Sequence, residues 1–307
     1  MHAKTPHDMD GPRRWALCGV ILLVTAWLPA WAQSAPDVEI LTSQLRDNLY
    51  LLQGSGGNTL VSTGADGVLL VDDEYADLSS KLMTAIGKLT GRPVRFVINT
   101  HWHNDHTGGN AAFGKAGALI IAQDNSSRRM SADQVMSLYG PQAAYAPVGR
   151  PKLSFSRSMQ LHLDGDTIDL IHLGPAHTDG DAVVFFRGRN LLMTGDLFVG
   201  HDYRPPFFDD RNGGSLEGMI AAAQAIVDLI DDKTTVIPGH GGPATRAEVA
   251  DYHARLIDIR ERIRAAIARG EGEEAVVAAH PIGDFAIPGR GTDRWVRVVY
   301  REYQKGQ

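Results

Sequence analysis

Val94-Arg95-Phe96-Val97-Ile98-Asn99-Thr100-His101-Trp102-His103-Asn104-Asp105-His106-Thr107-Gly108-Gly109 is the stretch on which the architecture turns. Its first half is rich in β-formers and reads as a buried strand. Its end, continued by Asn110-Ala111-Ala112-Phe113, reads as a turn that opens a helix. Between the two, three imidazoles and a carboxylate fall within six residues. Side chains of these types, set where a strand ends, are aimed into a site and not into a core. Imidazole nitrogen combined with carboxylate oxygen suits a borderline cation such as zinc, and the chemistry expected is metal-dependent hydrolysis. His101 and His103 are two residues apart, so on extended backbone they point to one side. Trp102 points to the other and is expected to pack.

Working outward, four more segments repeat the pattern of an apolar run that ends in a ligand type. Val68-Leu69-Leu70-Val71 leads to Asp72-Asp73. Ile171-His172-Leu173-Gly174-Pro175-Ala176 leads to His177, Leu191-Leu192-Met193-Thr194-Gly195 to Asp196, and Thr235-Val236-Ile237-Pro238-Gly239 to His240. Neighbouring glycines allow tight turns around a small site. Asp72 has two readings: it orients a ligand histidine as a supporting carboxylate, or it only closes a hairpin. His201, Tyr203 and Arg204 follow Asp196 on a loop, where they line a substrate pocket or form plain surface.

The rest of the chain supplies a layered frame. A first strand or two is expected within Val38–Leu52, a turn at 53–58, and a hairpin of Thr59–Thr63 with Gly67–Asp72. Ser79–Leu89 has helical spacing, with Leu82, Ile86 and Leu89 on one face. A strand at Ala118–Ala122 precedes a polar, Met-dotted stretch at 123–152, expected as a mobile helix-and-loop segment over the site. Strands recur at 159–163, 167–173, 182–186 and 190–194, then a helix at 216–230, a strand at 234–237 and a long amphipathic helix at 246–269. The last 40 residues are mixed and expected to pack outside. Strands and a helix, twice over, fit an α/β sandwich of two mixed sheets with helices on the outer faces.

At this point the sequence resembles the metallo-β-lactamase superfamily. The matching elements are His101-x-His103-x-Asp105-His106, then His177, Asp196 and His240, separated by 71, 19 and 44 residues. The resemblance spans about residues 38–245 and implies an αββα sandwich with the site at one edge between the sheets. It also implies a two-zinc site. His101, His103 and His177 would hold one cation, Asp105, His106 and His240 the other, and Asp196 would bridge them, with Asp105 also orienting or deprotonating the attacking water. Iron or manganese suits the same ligands. Two cations that share a hydroxide generate a nucleophile near neutral pH and polarise a carbonyl. Three departures carry information. Many metallo-β-lactamases carry a cysteine where Asp196 stands, and aspartate there is the pattern of glyoxalase II-like thioesterases and lactonases. Flavodiiron-type relatives have glutamate in place of His103. No lysine occurs at Leu197-Phe198-Val199, where a carboxylate-binding lysine is familiar.

Composition narrows the function classes. At 307 residues, 43% hydrophobic and 21% charged, the chain can bury a full core. A net charge of −6 without a long basic run argues against nucleic acid as a partner. Lys4, Arg13 and Arg14 precede an apolar run from Trp15 to Leu28, and Pro29-Ala30-Trp31-Ala32 supplies an A-x-A cleavage pattern. Residues 1–32 are therefore expected to be a cleaved signal peptide, 33–245 the catalytic domain and 246–307 a helical extension on the same domain. A retained membrane anchor is the alternative, although the apolar run is short for a span. The only cysteine, Cys18, lies in that segment, so the mature chain would hold its metal by nitrogen and oxygen alone.

The resulting expectation is a periplasmic or secreted zinc hydrolase acting on a small molecule with a hydrolysable carbonyl bond. A β-lactam is the most specific candidate, because cytosolic glutathione thioesters would be scarce outside the inner membrane. The alternatives are a glyoxalase II-like thioesterase or lactonase, an iron-dependent persulfide dioxygenase-like enzyme, and a non-catalytic metal-binding protein.

Overall fold

The computed structural model describes residues 38–137, 139–200, 206–283 and 291–304. The expected export segment lies outside them. The chain runs through β1 (Leu41–Arg46), β2 (Leu49–Gln53), β3 (Thr59–Gly64), β4 (Gly67–Val71), helix α1 (Ser79–Leu89) and β5 (Val94–Ile98). The short helices α2 (Asn104–Thr107) and α3 (Asn110–Lys115) come next, then β6 (Leu119–Gln123), α4 (Asp124–Met130), a hairpin of β7 (Gln134–Met136) and β8 (Gly140–Gln142), and β9 (Leu153–Phe155). The second half contains β10 (Ser158–Leu163), β11 (Asp166–Ile171), β12 (Val183–Phe186), β13 (Leu191–Met193), α5 (Leu216–Leu229) and β14 (Thr235–Ile237). It closes with α6 (Arg246–Ala268), α7 (Glu273–Ala278) and α8 (Thr292–Gln304).

Two mixed sheets result, in strand orders β1-β2-β3-β4-β5-β6-β9 and β10-β11-β12-β13-β14. The strand period of two explains the layers. On β4, Leu69 and Val71 face the second sheet, where they meet Ile168, Leu170, Val184, Phe186 and Met193. The alternate residues Val68 and Leu70 face outward onto Leu82 and Ile86 of α1 and Phe113 of α3. A strand covered on both faces reads as one continuous apolar run, as this one does. The outer face of the second sheet, through Val183, Phe185, Leu192 and Val236, is covered by α5, α6 and α8. The architecture is the αββα sandwich.

Two helix starts are encoded locally. Ser215 accepts the Gly218 N–H at the head of α5, and Thr245 with Glu248 forms a capping box at the head of α6. The C-terminal stretch, mixed in sequence, supplies core residues: Trp295, Val296 and Val299 of α8 are buried against the second sheet's helices. Segment 123–152 carries α4 and the β7–β8 hairpin, and β9 follows it. These elements are too short to generate a hydrophobic period. Among the described residues no helix is long and apolar enough to cross a membrane.

The pairing pattern positions the site. β4 lies parallel to β5 with Val71 opposite Ile98, and β13 lies parallel to β14 with Met193 opposite Ile237. In-register parallel strands end together, so the segments that begin at Asp72, Asn99, Thr194 and Pro238 leave the sheets at one edge. That edge of carboxyl ends is where sheets of this kind hold ligands. Backbone hydrogen bonds tie the two sheets' loops there, from Ala182 N–H to Thr100 carbonyl at 2.7 Å and from Asn58 N–H to Gly239 carbonyl at 2.7 Å.

Candidate metal centre

Seven of the side chains singled out in the sequence converge at this edge. His101, His103 and His177 bring ligand atoms within 4.8 Å of one another, as do His101, Asp105 and His106, and as do His106, Asp196 and His240. Asp196 spans the groups. Its Oδ2 is 3.6 Å from His177 Nε2, while its Oδ1 is 3.2 Å from His106 Nε2 and 3.5 Å from His240 Nε2. Asp105 Oδ2 lies 3.3 Å from His240 Nε2 and 3.6 Å from His106 Nε2. Asp105 and Asp196 keep side-chain exposures of 20% and 11%, against 0% for His106, so solvent reaches the cluster on the carboxylate side.

The hydrogen bonds around the rim assign each ring its tautomer. His177 Nδ1 donates to the Phe207 carbonyl at 2.8 Å. His106 Nδ1 donates to Asp72 Oδ2 at 2.8 Å, and His103 Nε2 to Asp209 Oδ2 at 3.2 Å. Thr100 Oγ1 gives its hydrogen to Asp72 Oδ2 at 2.7 Å, so it accepts from His101 Nδ1 at 3.1 Å. In its neutral form each of these four rings is left with its inward nitrogen as a lone pair. His103 Nδ1 and His177 Nε2 face each other at 3.0 Å, and a fifth ring, His240, brings its Nε2 to 3.3 Å from His106 Nε2. His101 Nε2 is buried with no hydrogen-bond partner among the described residues. Buried lone pairs that converge in this way repel unless positive charge sits between them.

The two halves differ in how that charge is supplied. Burial, followed by the neighbouring imidazoles, holds His101 well below its ordinary pKa, and burial brings His177 down to about 4. His101 and His177 are therefore neutral at neutral pH, and neutral imidazole suits a borderline cation. On the other side burial opposes charge on His106 and His240, but Asp196, with Asp105 beside it, outweighs that. His106 is held well above its ordinary value and His240 is pushed up to about 10. Burial would raise Asp196 as well, yet His240 and His106 keep it well below the usual carboxylate range. This side attracts a proton or a metal ion, and the donor set fits a cation on each side.

Asp72 contacts both the Thr100 turn and a histidine of the cluster. Its Oδ1 accepts the Thr100 N–H at 2.7 Å, and its Oδ2 serves both Thr100 Oγ1 and His106. Trp102 is fully buried with Ala122, Met130 and Met136. His201, Tyr203 and Arg204 lie outside the described residues.

Two acidic residues at the rim escaped the sequence reading. Buried Asp209 accepts from His103, from Ser137 N–H at 3.1 Å and Oγ at 2.8 Å, and from Asn212 Nδ2 at 2.7 Å. Burial pushes its pKa up, but the His103 contact and these donors bring it down to about 2, so it is a carboxylate. Buried Glu74 accepts the N–H groups of Gly54 and Gly56 at 2.6 and 2.7 Å, pinning the 53–58 turn whose Gly57 N–H donates to the Asp105 carbonyl at 2.9 Å. Asp209 is 106 residues from His103 and sits in an irregular Phe207-Phe208-Asp209-Asp210 segment, so no spacing rule points to it. Asp209→Asn is expected to weaken metal binding about ten- to a hundredfold with little change in the melting temperature of the metal-free chain. Competition with a metal-binding dye measures the first and thermal unfolding by circular dichroism the second.

Comparison with known proteins identifies the family and the fold. The family described as the metallo-beta-lactamase superfamily matches residues 44–240. A "Metallo-beta-lactamase type 2" from Elizabethkingia meningoseptica is 26% identical over 198 residues, 62% of this chain and 73% of that protein. A "Hydroxyacylglutathione hydrolase" from Anaeromyxobacter dehalogenans is 28% identical over 225 residues, covering 68% of this chain and 73% of that protein. A "2,4-dinitroanisole O-demethylase subunit alpha" from Nocardioides sp. is 25% identical over 174 residues, and the alignment covers 49% of its length. Among solved structures, a metallo-beta-lactamase from Pontibacter korlensis superposes with a TM-score of 0.62 at 16% identity, over 72% of this chain and all of that one. The DIM-1 metallo-beta-lactamase gives 0.58 at 18% identity, over 71% of this chain and 97% of that one. These structural likenesses bear on the fold.

Proposed function

The chain belongs to the metallo-beta-lactamase superfamily, and from that premise we propose that it is an exported zinc hydrolase that opens a carbonyl bond of a small molecule, with a β-lactam as the most specific substrate. The observation that carries the reading is the convergence of imidazole nitrogens on both sides of Asp196, whose two oxygens reach His177 and the His106–His240 pair. His101, His103 and His177 would hold one zinc, Asp105, His106 and His240 the other, and Asp196 would touch both. When bound, such a pair supplies Lewis acidity toward the carbonyl and a nucleophile at neutral pH.

The chain's own groups do the rest. Asp72, Asp209 and the Phe207 carbonyl keep the rings in the tautomers that bind, so no reorganisation is needed as charge develops. Asp105 is the more exposed of the two inner carboxylates, which supports a role in orienting attacking water and receiving its proton. Buried walls of Trp102, His106 and Asn58 exclude bulk water behind the centre.

Asp105→Ala is expected to cut turnover about a thousandfold while leaving the fold intact, since Asp105 lies at the solvent face of the cluster. Steady-state kinetics with far-ultraviolet circular dichroism checks this, and near-normal turnover would remove Asp105 from its role. The functional reading is tested by nitrocefin hydrolysis that disappears with a chelator and returns with zinc. A second reading, a thioesterase or lactonase, is favoured by the aspartate at position 196 in place of cysteine. Efficient cleavage of S-lactoylglutathione or an acyl-homoserine lactone, with nitrocefin untouched, would select it. Export rests on the Trp15–Leu28 run and the A-x-A pattern after it, and the N-terminal residue of the mature protein tests it.

A further inference from the structure

The turn at residues 53–58 lies across one half of the cluster. Its Gly57 N–H donates to the Asp105 carbonyl at 2.9 Å, and a methyl group on Gly57 would overlap the His106 ring. On its other side Asn58 N–H donates to the Gly239 carbonyl at 2.7 Å, and Asn58 Nδ2 to the Pro238 and Gly241 carbonyls at 2.8 and 2.9 Å. Gln53 Nε2 adds a bond to the Gly241 carbonyl at 3.1 Å. The turn therefore touches the segment that carries Asp105 and His106, and also both chain neighbours of His240. None of these hydrogen bonds reaches His101, His103 or His177, whose rings are set by Thr100, Asp209 and the Phe207 carbonyl.

Glu74 holds this turn from below. Its two oxygens accept Gly54 N–H at 2.6 Å and Gly56 N–H at 2.7 Å, and the side chain is buried. Its backbone is fastened to the same ligand segment: Gly108 N–H donates to the Glu74 carbonyl at 2.8 Å, and Asp73 N–H to the His106 carbonyl at 2.8 Å. Glu74 also holds a φ of 64°, a left-handed conformation that is strained for a glutamate and persists only where the surroundings enforce it. A buried carboxylate with both oxygens engaged by amides of one turn makes stronger hydrogen bonds than a neutral acceptor would. It fixes where the turn presses on His106.

We propose that Glu74 is a positioning residue for the Asp105–His106–His240 half of the cluster, acting through the 53–58 turn, and that the His101–His103–His177 half is independent of it. The proposal rests on the reading of the cluster as a two-cation site, not on the reaction assigned to it. Ligands already held by packing and hydrogen bonds bind a cation without first being ordered. Loosening the turn therefore weakens the cation on that half alone.

The test is zinc affinity, measured by competition with a metal-binding dye on the alkaline side of the value of about 7 to which burial raises the Glu74 carboxyl. It is read in two single-site backgrounds of the mature protein. His101→Ala leaves the Asp105–His106–His240 half, and His240→Ala leaves the His101–His103–His177 half. Glu74→Gln keeps the length of the side chain and loses one acceptor. It is expected to weaken zinc binding about tenfold in the His101→Ala background and to leave it unchanged in the His240→Ala background. Glu74→Asp, one methylene short of the turn, is expected to show the same selective loss and replaces Glu74→Gln should that variant fail to fold. Unchanged affinity in the His101→Ala background, or an equal loss in both backgrounds, overturns the proposal. Selective loss in a protein that turns over no carbonyl substrate would overturn the hydrolase reading and leave Glu74 in its role. Hydrolysis without selective loss would do the reverse.

Discussion

Asp196→Ala is expected to lower turnover by at least about a thousandfold and to leave fewer than two metal equivalents per chain. Asp196 is the one side chain whose oxygens approach both the His177 side and the His106–His240 side. Its removal takes a donor from both cations and removes the anion that holds positive charge on His106 and His240. The packing around it is built for the carboxylate: a methyl group on Gly239 would overlap Asp196 Oδ1, so a glycine is required at that position. The fold should persist, because Leu197, the next residue in the same short turn, is buried in the core and stays in place. Turnover within tenfold of the wild type, with two metals retained, would contradict the bridging role.

Asp72→Ala is the second substitution with a large expected effect, and it acts through the rings it serves. The carboxylate accepts three hydrogen bonds, from Thr100 N–H, Thr100 Oγ1 and His106 Nδ1. Through Thr100 it also fixes His101, so two of the metal-facing rings lose their tautomer at once. Buried donors left without partners cost about 1–3 kcal/mol each, and breaking a buried charged pair about 3–5 kcal/mol. Asp72 also holds a φ of 61°, a left-handed backbone conformation in which alanine is strained and asparagine is tolerated. Asp72→Ala is therefore expected to lose about 3 kcal/mol of stability together with metal affinity. Asp72→Asn keeps most of the stability and loses about ten- to a hundredfold in metal affinity. Urea unfolding of the metal-free proteins and metal titration separate the two effects. Wild-type metal affinity in Asp72→Asn would assign Asp72 to the hairpin alone.

How much of this was legible in the sequence depends on the range of each interaction. β4, β5, β12 and β13 are apolar runs and β10 and β11 alternate, so local pattern is enough to see them, and the ligand types after β4, β5, β13 and β14 stand out because those strands stop there. The parallel pairing that aligns those ends is non-local, and the ordered motif resemblance supplied it. β7, β8 and β9 span three residues each, too few for a period, and β9 forms because β6 offers it an edge. Asp209 and Glu74 were invisible for another reason. An aspartate among aromatics and a glutamate after two aspartates carry no signal of their own, and their roles arise from partners 106 and 20 residues away.

The central claim is that scattered side chains hold two cations around Asp196. Elemental analysis of the purified mature protein, after dialysis against metal-free buffer, tests it most directly. The account predicts close to two zinc equivalents per chain, falling below two in Asp196→Ala and in His101→Ala while both variants remain folded. One equivalent of iron, or retention of no metal by a fully folded wild-type chain, would contradict it.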